Sequence, residues 1–352
     1  MCLVFAALFA LALNSARCAD VMAWGADGYD YGQTNVPTGL SGVLAIAAGK
    51  AHTMALKSNG TVVAWGFSAY EQTNVPPGLS NVTAIAAGGD CSAALKTDGR
   101  VVVWGSNSYG QTNVPPGLSN VTAIAVGSHH TLALKNNGTV VAWGAGNGWN
   151  LGQINVPAGL SNVTAIAAGE AHTLALRSNG MVVAWGYNAD GQTSVPTGLS
   201  NVVAIAAAGH SMALKSDGTV VVWGDTTTAG LNSVPIDLAG VTGIAAGGEF
   251  SVALKSNGTV LAWGKNGYGQ TNVPSRLVGV TGITAGWGHS VALGFFQAAI
   301  TQQPQSVSVP IGEMADFTVG VSGSQPISYQ WILGSSDFLM GKVAKSRAEK
   351  SF

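Results

Sequence analysis

Short runs of small apolar side chains recur along most of the chain, always in the same order. One unit reads Ala123-Ile124-Ala125-Val126-Gly127, then His130-Thr131-Leu132-Ala133-Leu134-Lys135, then Thr139-Val140-Val141-Ala142-Trp143-Gly144. Each run is short, rich in β-branched or small residues and bounded by Gly or Asn, which predicts a strand and leaves no stretch for a helical face. The second and third runs are joined by Asn-Gly or Asp-Gly, at Asn59-Gly60, Asp98-Gly99, Asn137-Gly138, Asn179-Gly180, Asp217-Gly218 and Asn257-Gly258. Such pairs accept positive φ and predict two-residue type I′ hairpins. A variable loop ending in Gly-Gln follows most Trp-Gly pairs, and an Asn-Val-Pro-x-Gly-Leu-Ser-Asn-Val stretch leads into the next unit.

The Trp-Gly element occurs seven times, at Trp24, Trp65, Trp104, Trp143, Trp185, Trp223 and Trp263, at steps of 38 to 42 residues. A period of about forty residues with strand content predicts a β-propeller or a related repeat array. Seven Trp-Gly strands and seven His-Thr-Leu-Ala-Leu-type strands are connected by only six Asn-Gly or Asp-Gly turns. The array begins on Trp-Gly strand 21–25 and ends on strand 289–293, the two halves of the absent hairpin. Pairing them closes a ring and removes two exposed sheet edges. The expected fold is therefore all-β: a seven-bladed β-propeller over residues 20–296, closed by its N- and C-terminal strands, followed by an incomplete immunoglobulin-like β segment.

The Trp-Gly-x-Asn-x-x-Gly-Gln element, clearest at 104–111, 185–192 and 263–270, resembles the regulator of chromosome condensation repeat. So does Ala-Ala-Gly-x-x-His-Thr-Leu-Ala-Leu at 47–56 and 167–176. The resemblance covers about residues 21–294 and implies a seven-bladed propeller. The Gln-Thr-x-Val-Pro and Ala-Ile-Ala-x-Gly wording is similar to secreted bacterial members such as the type II β-lactamase inhibitory protein. The nuclear branch of the family implies guanine nucleotide exchange on a small GTPase, and no residue here carries over as an exchange site. The slots before the repeat His hold Ala51, Asp90, His129, Ala171, Gly209, Glu249 and Gly288.

Composition and charge narrow the picture. Only 9% of the 352 residues are charged and the net charge is −1, so no nucleic-acid surface is expected. The apolar run Leu3 to Leu13, followed by small residues at Ala16 and Cys18, reads as a signal peptide over residues 1–19 and predicts a secreted or extracellular protein without a membrane span. Removal of that leader would leave Cys91 as the one cysteine, hence no internal disulfide. After residue 296, Ile300 to Trp331 resembles the first strands of an immunoglobulin-like domain, with Trp331 at the core position of the third strand, over 297–333. Residues 334–352 read as a disordered basic tail.

Strand alternation places the Asn-Gly turns on one face of the disc, and the loops after Trp-Gly with the links before each repeat His on the other. The second face collects the variation. Its loops hold Tyr29, Tyr31, Phe67, Tyr70, Tyr109, Trp149, Tyr187 and Tyr268, and a link adds Trp287. Acids gather there too, among them Asp27, Asp30, Glu71, Asp90, Glu170, Asp190, Asp225 and Glu249, against Lys50 and Lys265. Aromatic rings with an excess of acids on one face have the composition of a recognition surface. The loops 25–33 and 144–153 are longest, which singles out Tyr29, Tyr31 and Trp149.

The repeat histidines His52, His130, His172, His210 and His289 stand at equivalent positions of separate blades, too dispersed to share a metal ion. They are expected to hydrogen-bond within their own blades. Asn-x-Thr sequons at Asn59, Asn81, Asn120, Asn137, Asn162 and Asn257 are repeat copies of turn and linker residues. No nucleophile stands beside a matching base, and no phosphate-binding Gly loop opens a helix. The expectation is a monomeric, non-enzymatic scaffold without cofactor or metal that binds a protein, one of basic character to suit the acidic face. A carbohydrate-binding or adhesion module and an exchange factor are the alternatives.

Overall fold

The computed structural model describes residues 20–224 and 230–296, with the backbone of a few short strands elsewhere. It forms seven three-stranded antiparallel sheets. Blade 1 consists of Val43–Ala48, His52–Lys57 and Val62–Gly66. Blades 2 to 6 repeat it, with middle strands Cys91–Lys96, His130–Lys135, His172–Arg177, Ser211–Lys215 and Phe250–Lys255. Blade 7 takes Leu277–Ala285 and His289–Phe296 from the end of the repeat array and Asp20–Gly25 from its start.

The closure expected from the turn count is present. His289 pairs with Gly25, Ser290 with Trp24 and Leu293 with Val21. First strands of successive blades neighbour one another all the way round, the last meeting the first, so they line the centre and the Trp-Gly strands form the rim. The core is a set of interblade seams. Met54 and Leu56 of blade 1 pack against Val82, Ala94 and Trp104 of blade 2. Leu293 of blade 7 packs in the same way against Val43, Ala55 and Trp65 of blade 1. Every middle strand places an alanine in the seam, where adjacent sheets approach closely; Ala55, Ala94 and Ala133 are fully buried.

The hairpin turns differ from the type I′ expectation. Only the glycines, such as Gly60 (φ 74°) and Gly138 (φ 76°), take positive φ there, and Asn59 and Asn137 do not. The Gly60 N–H donates to the Lys57 carbonyl and the Lys57 N–H to the Thr61 carbonyl. This is a three-residue loop, a type I turn ending in an αL glycine that forms a G1 bulge. The Asn59 side chain prefers that geometry because its Oδ1 accepts from the Thr61 N–H at 3.1 Å and from its hydroxyl at 2.7 Å.

In the terminal segments Leu3–Val4 pairs with Ser308–Val309, Leu8–Ala12 with Ser328–Ile332 and Ala299–Gln302 with Gly320–Ser322. Otherwise the assignments of leader, immunoglobulin-like segment and basic tail, and Asp225, lie outside the described residues. No helix among the described residues is long and apolar enough to cross a membrane.

Candidate functional site

The face opposite the hairpin turns is built on a repeated seam. In each loop after Trp-Gly, one backbone carbonyl just before the next linker accepts the indole N–H of the following blade. Trp65 donates to Gln33, Trp104 to Gln72, Trp143 to Gln111 and Trp185 to Gln153, each at 3.0 Å. The same carbonyls accept hydroxyls of the following middle strand: Thr53 on Gln33, Ser92 on Gln72 and Thr131 on Gln111.

The repeat histidines join this network, and here the expectation of bonds within one blade is corrected. His52 Nε2 meets Ser92 of blade 2 at 3.0 Å, His130 meets Thr173 of blade 4 at 3.1 Å and His172 meets Ser211 of blade 5 at 2.9 Å. His210 meets Ser251 of blade 6 at 2.8 Å, and His289 meets Thr53 of blade 1 across the closure at 3.1 Å. Each hydroxyl proton already goes to a loop carbonyl wherever that bond is formed, so the imidazole donates through Nε2–H. Nδ1 of His52, His130 and His289 is then the unprotonated nitrogen, and it is buried without a partner. Burial holds the imidazoles neutral, with pKa lowered to about 3 at His52 and His130 and to about 4 at His172 and His289. Cys91 takes the slot in blade 2, buried, its thiol donating to the Ser106 carbonyl.

The Gln side chains do a second job. Oε1 of Gln33, Gln72, Gln111 and Gln270 accepts the backbone N–H two residues earlier, that of Tyr31, Tyr70, Tyr109 and Tyr268. A buried amide thus sets the backbone under four loop tyrosines. In the two longest loops Nε2 also donates, from Gln33 to the Tyr29 carbonyl and from Gln153 to the Trp149 carbonyl, both at 2.7 Å.

These clamps bring the rings together in two groups. Tyr29 lies 5.8 Å from Tyr268 and 5.4 Å from Trp287, which are 5.8 Å apart. The group continues through Tyr31, 5.0 Å from Tyr29, to Phe67 and Tyr70. The second group has Tyr109 4.4 Å from His129 and 5.7 Å from Trp149, with His129 4.7 Å from Trp149. Tyr31 is 51% exposed, Tyr70 50% and Trp149 46%, whereas Tyr29, Phe67, Tyr109, Tyr268 and Trp287 are half-buried beneath them. Tyr187 is exposed on the loop of blade 4.

The acids divide by role. Asp30 accepts the Gly32 N–H and Asp190 accepts the Gln192 amide, so both brace their own loops. Glu249 pairs with Lys265, and Glu170 is exposed. Half-buried Asp90 has its carboxyl raised by desolvation, opposed by the charge of Lys50. Tyr29 is raised by burial and then by Tyr31, Asp90 and Tyr268; His129 is lowered by burial and then by Lys50. The charge of Lys50 thus acts on both Asp90 and His129, and that of Asp90 on Tyr29. Among the described residues no group of three or more His, Cys, Asp or Glu side chains could hold a metal ion.

Sequence reasoning missed His129 as a member of the aromatic surface, because an adjacent His-His pair reads as a strand feature. It also missed the Gln clamp, whose signal was the recurrence of Gln 31 or 32 residues ahead of Trp65, Trp104, Trp143, Trp185 and Trp223.

A family model, the regulator of chromosome condensation (RCC1) repeat, matches residues 43–72, 82–111, 121–153, 163–192 and 241–270. The chain therefore carries five RCC1 repeats, and the matched copies coincide with blades 1 to 4 and 6. Among solved structures it is similar to Prp20p from Saccharomyces cerevisiae (22% identity, TM-score 0.66, 80% of this chain and 93% of that one). It is also similar to human WBSCR16 (21%, 0.57, 72% and 87%) and to the ectodomain of the receptor kinase CR4 from Physcomitrella patens (22%, 0.56, 69% and 68%). At these identities the likeness is one of fold. A search of the curated proteins finds no match.

Proposed function

We propose that the protein is a non-enzymatic scaffold that binds another protein through the face carrying its aromatic loops. The observation that carries this reading is the pair of clamped ring groups. Their outer members, Tyr31, Tyr70 and Trp149, stay about half exposed although buried amides and neighbouring rings hold their loops in place. Rigid Tyr and Trp side chains supply contact area at small entropic cost, and loops already held in one geometry lose little further freedom on binding. The fold also serves this purpose elsewhere: Prp20p is described with binding properties to Gsp1p and histones.

The leader-like run ending near Ala19 supports secretion. Cleavage there would leave the closing strand Asp20–Gly25 complete, and N-terminal sequencing of protein recovered from the medium tests it.

The binding reading is tested by capture from the native surroundings with the wild-type chain and with Tyr29→Ala/Tyr31→Ala/Trp149→Ala. A partner retained by the first and lost by the second, with the circular dichroism melt unchanged, supports it. Unchanged capture by the triple variant overturns it. A glycan array run in parallel reads out the carbohydrate alternative.

A further inference from the structure

The two longest loops, 26–33 of blade 7 and 145–153 of blade 3, are constructed alike. Each opens on a buried alanine with positive φ, Ala26 at 66° and Ala145 at 55°. In each, the next backbone N–H donates to a tyrosine carbonyl of the preceding blade, Asp27 to Tyr268 at 3.0 Å and Gly146 to Tyr109 at 2.8 Å. Tyr29 and Trp149 are equivalent, four residues ahead of the clamping Gln and packed on that same tyrosine. The loop face thus carries the same aromatic platform twice, three blades apart.

Charge separates the two copies. Asp30 of the first corresponds to Asn150 of the second, and both accept the N–H two residues on, at 2.8 and 3.0 Å. Asn therefore serves the turn as well as Asp, and the negative charge at Asp30 is not a requirement of the loop. Asp27 corresponds to uncharged Gly146. Beside the first platform, Glu71 occupies a position that is glycine in the other six loops and takes φ 65°, a conformation in which a side chain is strained. Its carboxylate is exposed next to Tyr70. The second platform has exposed Leu151 where the first has Tyr31.

We propose that the two platforms form one two-point docking surface for an extended protein segment bearing both a lysine or arginine and a large apolar side chain. The cation sits over the blade 7 platform, against its rings and the carboxylates of Asp27, Asp30 and Glu71; the apolar residue sits on Trp149 and Leu151. Cations are attracted to the faces of Tyr and Trp rings, and more so where carboxylates flank them. The polarity of the face fixes the direction in which the segment lies. This assignment rests on the loop face being the binding face.

The test is selection from a random twelve-residue peptide library displayed on phage against the immobilised full chain. An extended segment of that length spans roughly 40 Å, long enough to reach from one blade loop to another. Expected is enrichment of peptides with Lys or Arg and a Leu, Phe or Trp at a constant separation. A synthetic copy of the leading peptide should lose about tenfold in affinity to Asp27→Asn/Asp30→Asn/Glu71→Gln, and should weaken as salt is raised. Trp149→Ala should weaken the same peptide without altering its salt dependence. Enriched peptides that lack basic residues, or that ignore the charge-neutral variant while still losing affinity to Trp149→Ala, overturn the two-point proposal and leave the loop-face reading standing. Peptides insensitive to both variants, or no enrichment, overturn both.

Discussion

Trp24 and Gln270 stand 246 residues apart in the chain and 3.0 Å apart in the ring, the indole N–H of one donating to the backbone carbonyl of the other. The same carbonyl accepts the Ser290 hydroxyl at 2.9 Å. Both bonds are formed by the first and last strands of the repeat array, and they copy the bonds at covalently continuous seams such as Trp104 on Gln72. Closure is one more seam of the same kind. Trp24→Phe should therefore destabilise by about 1 kcal/mol for the lost hydrogen bond and a similar amount for the smaller ring, as much as Trp104→Phe. A chain starting at Ala26 should unfold in denaturant with a lower midpoint and a shallower slope by circular dichroism, because blade 7 then has an open edge. Equal midpoint and slope would show that closure contributes nothing.

The imidazole seams make stability acid-sensitive. The folded-state pKa of His52, His130, His172 and His289 is about 3 to 4, below the usual value of 6.5. The unfolded chain binds protons first as the pH falls. Their contribution is fully present above about pH 6.5 and is lost as pH drops towards 4 and 3, at up to about 1.4 kcal/mol per pH unit for each imidazole. Midpoints of thermal unfolding should be flat from pH 8 to 7 and fall steeply below 6. His289→Gln should reduce the slope between pH 6 and 4. An unchanged slope would mean that this imidazole does not drive the effect.

The glycine three residues ahead of His52, His130, His172 and His289 leaves room for that ring. A Cβ at Gly49 would lie 2.2 Å from Cε1 of His52, and the ring cannot swing aside while Nε2 holds Ser92. At Gly247 the same Cβ would strike Phe250 at 2.1 Å. Gly49→Ala should cost about 1–3 kcal/mol by overpacking. The double variant Gly49→Ala/His52→Ala should show less than the sum of the single losses, because residues in contact do not add. Additive losses in chemical denaturation would place the strain elsewhere.

Blade count, strand order and closure were legible because they depend on local periodicity and on a mismatch between strands and turns. What lay beyond reach depends on contacts between blades. Trp65 and Gln33 are 32 residues apart, and nothing in their own surroundings says that a side chain of one blade seeks a main-chain carbonyl of another. The His-to-Ser and His-to-Thr bonds escaped for the same reason. Asn-Gly allows both a type I′ turn and a type I turn with a G1 bulge, and the side-chain oxygen of the Asn or Asp, which accepts the N–H two residues on from Thr61, Arg100 and Met181 alike, tips the choice. The aromatic loops were visible as a class, but their sorting into two platforms depends on which loops lean on the preceding blade.

Gln153 decides whether the blade 3 platform exists before a partner arrives. Its Oε1 accepts the Leu151 N–H at 2.6 Å and its Nε2 donates to the Trp149 carbonyl at 2.7 Å, while its own carbonyl remains with Trp185 and Thr173. Gln153→Ala removes the first two bonds and keeps the last two, so loop order and seam integrity separate. The seam already tolerates such a change, since Leu231 fills the same place between blades 5 and 6 and its carbonyl still accepts Trp263 at 3.1 Å. Gln153→Ala should then leave the thermal midpoint within a few degrees of wild type, because the buried loop N–H and carbonyl gain access to water as the loop loosens. Amide exchange at Trp149 and Leu151 should accelerate by an order of magnitude or more, and any ligand bound through Trp149 should weaken chiefly by slower association as the loop must be ordered anew. Unaltered exchange at these two amides would show that the ring contacts with Tyr109 and His129 suffice to hold the loop.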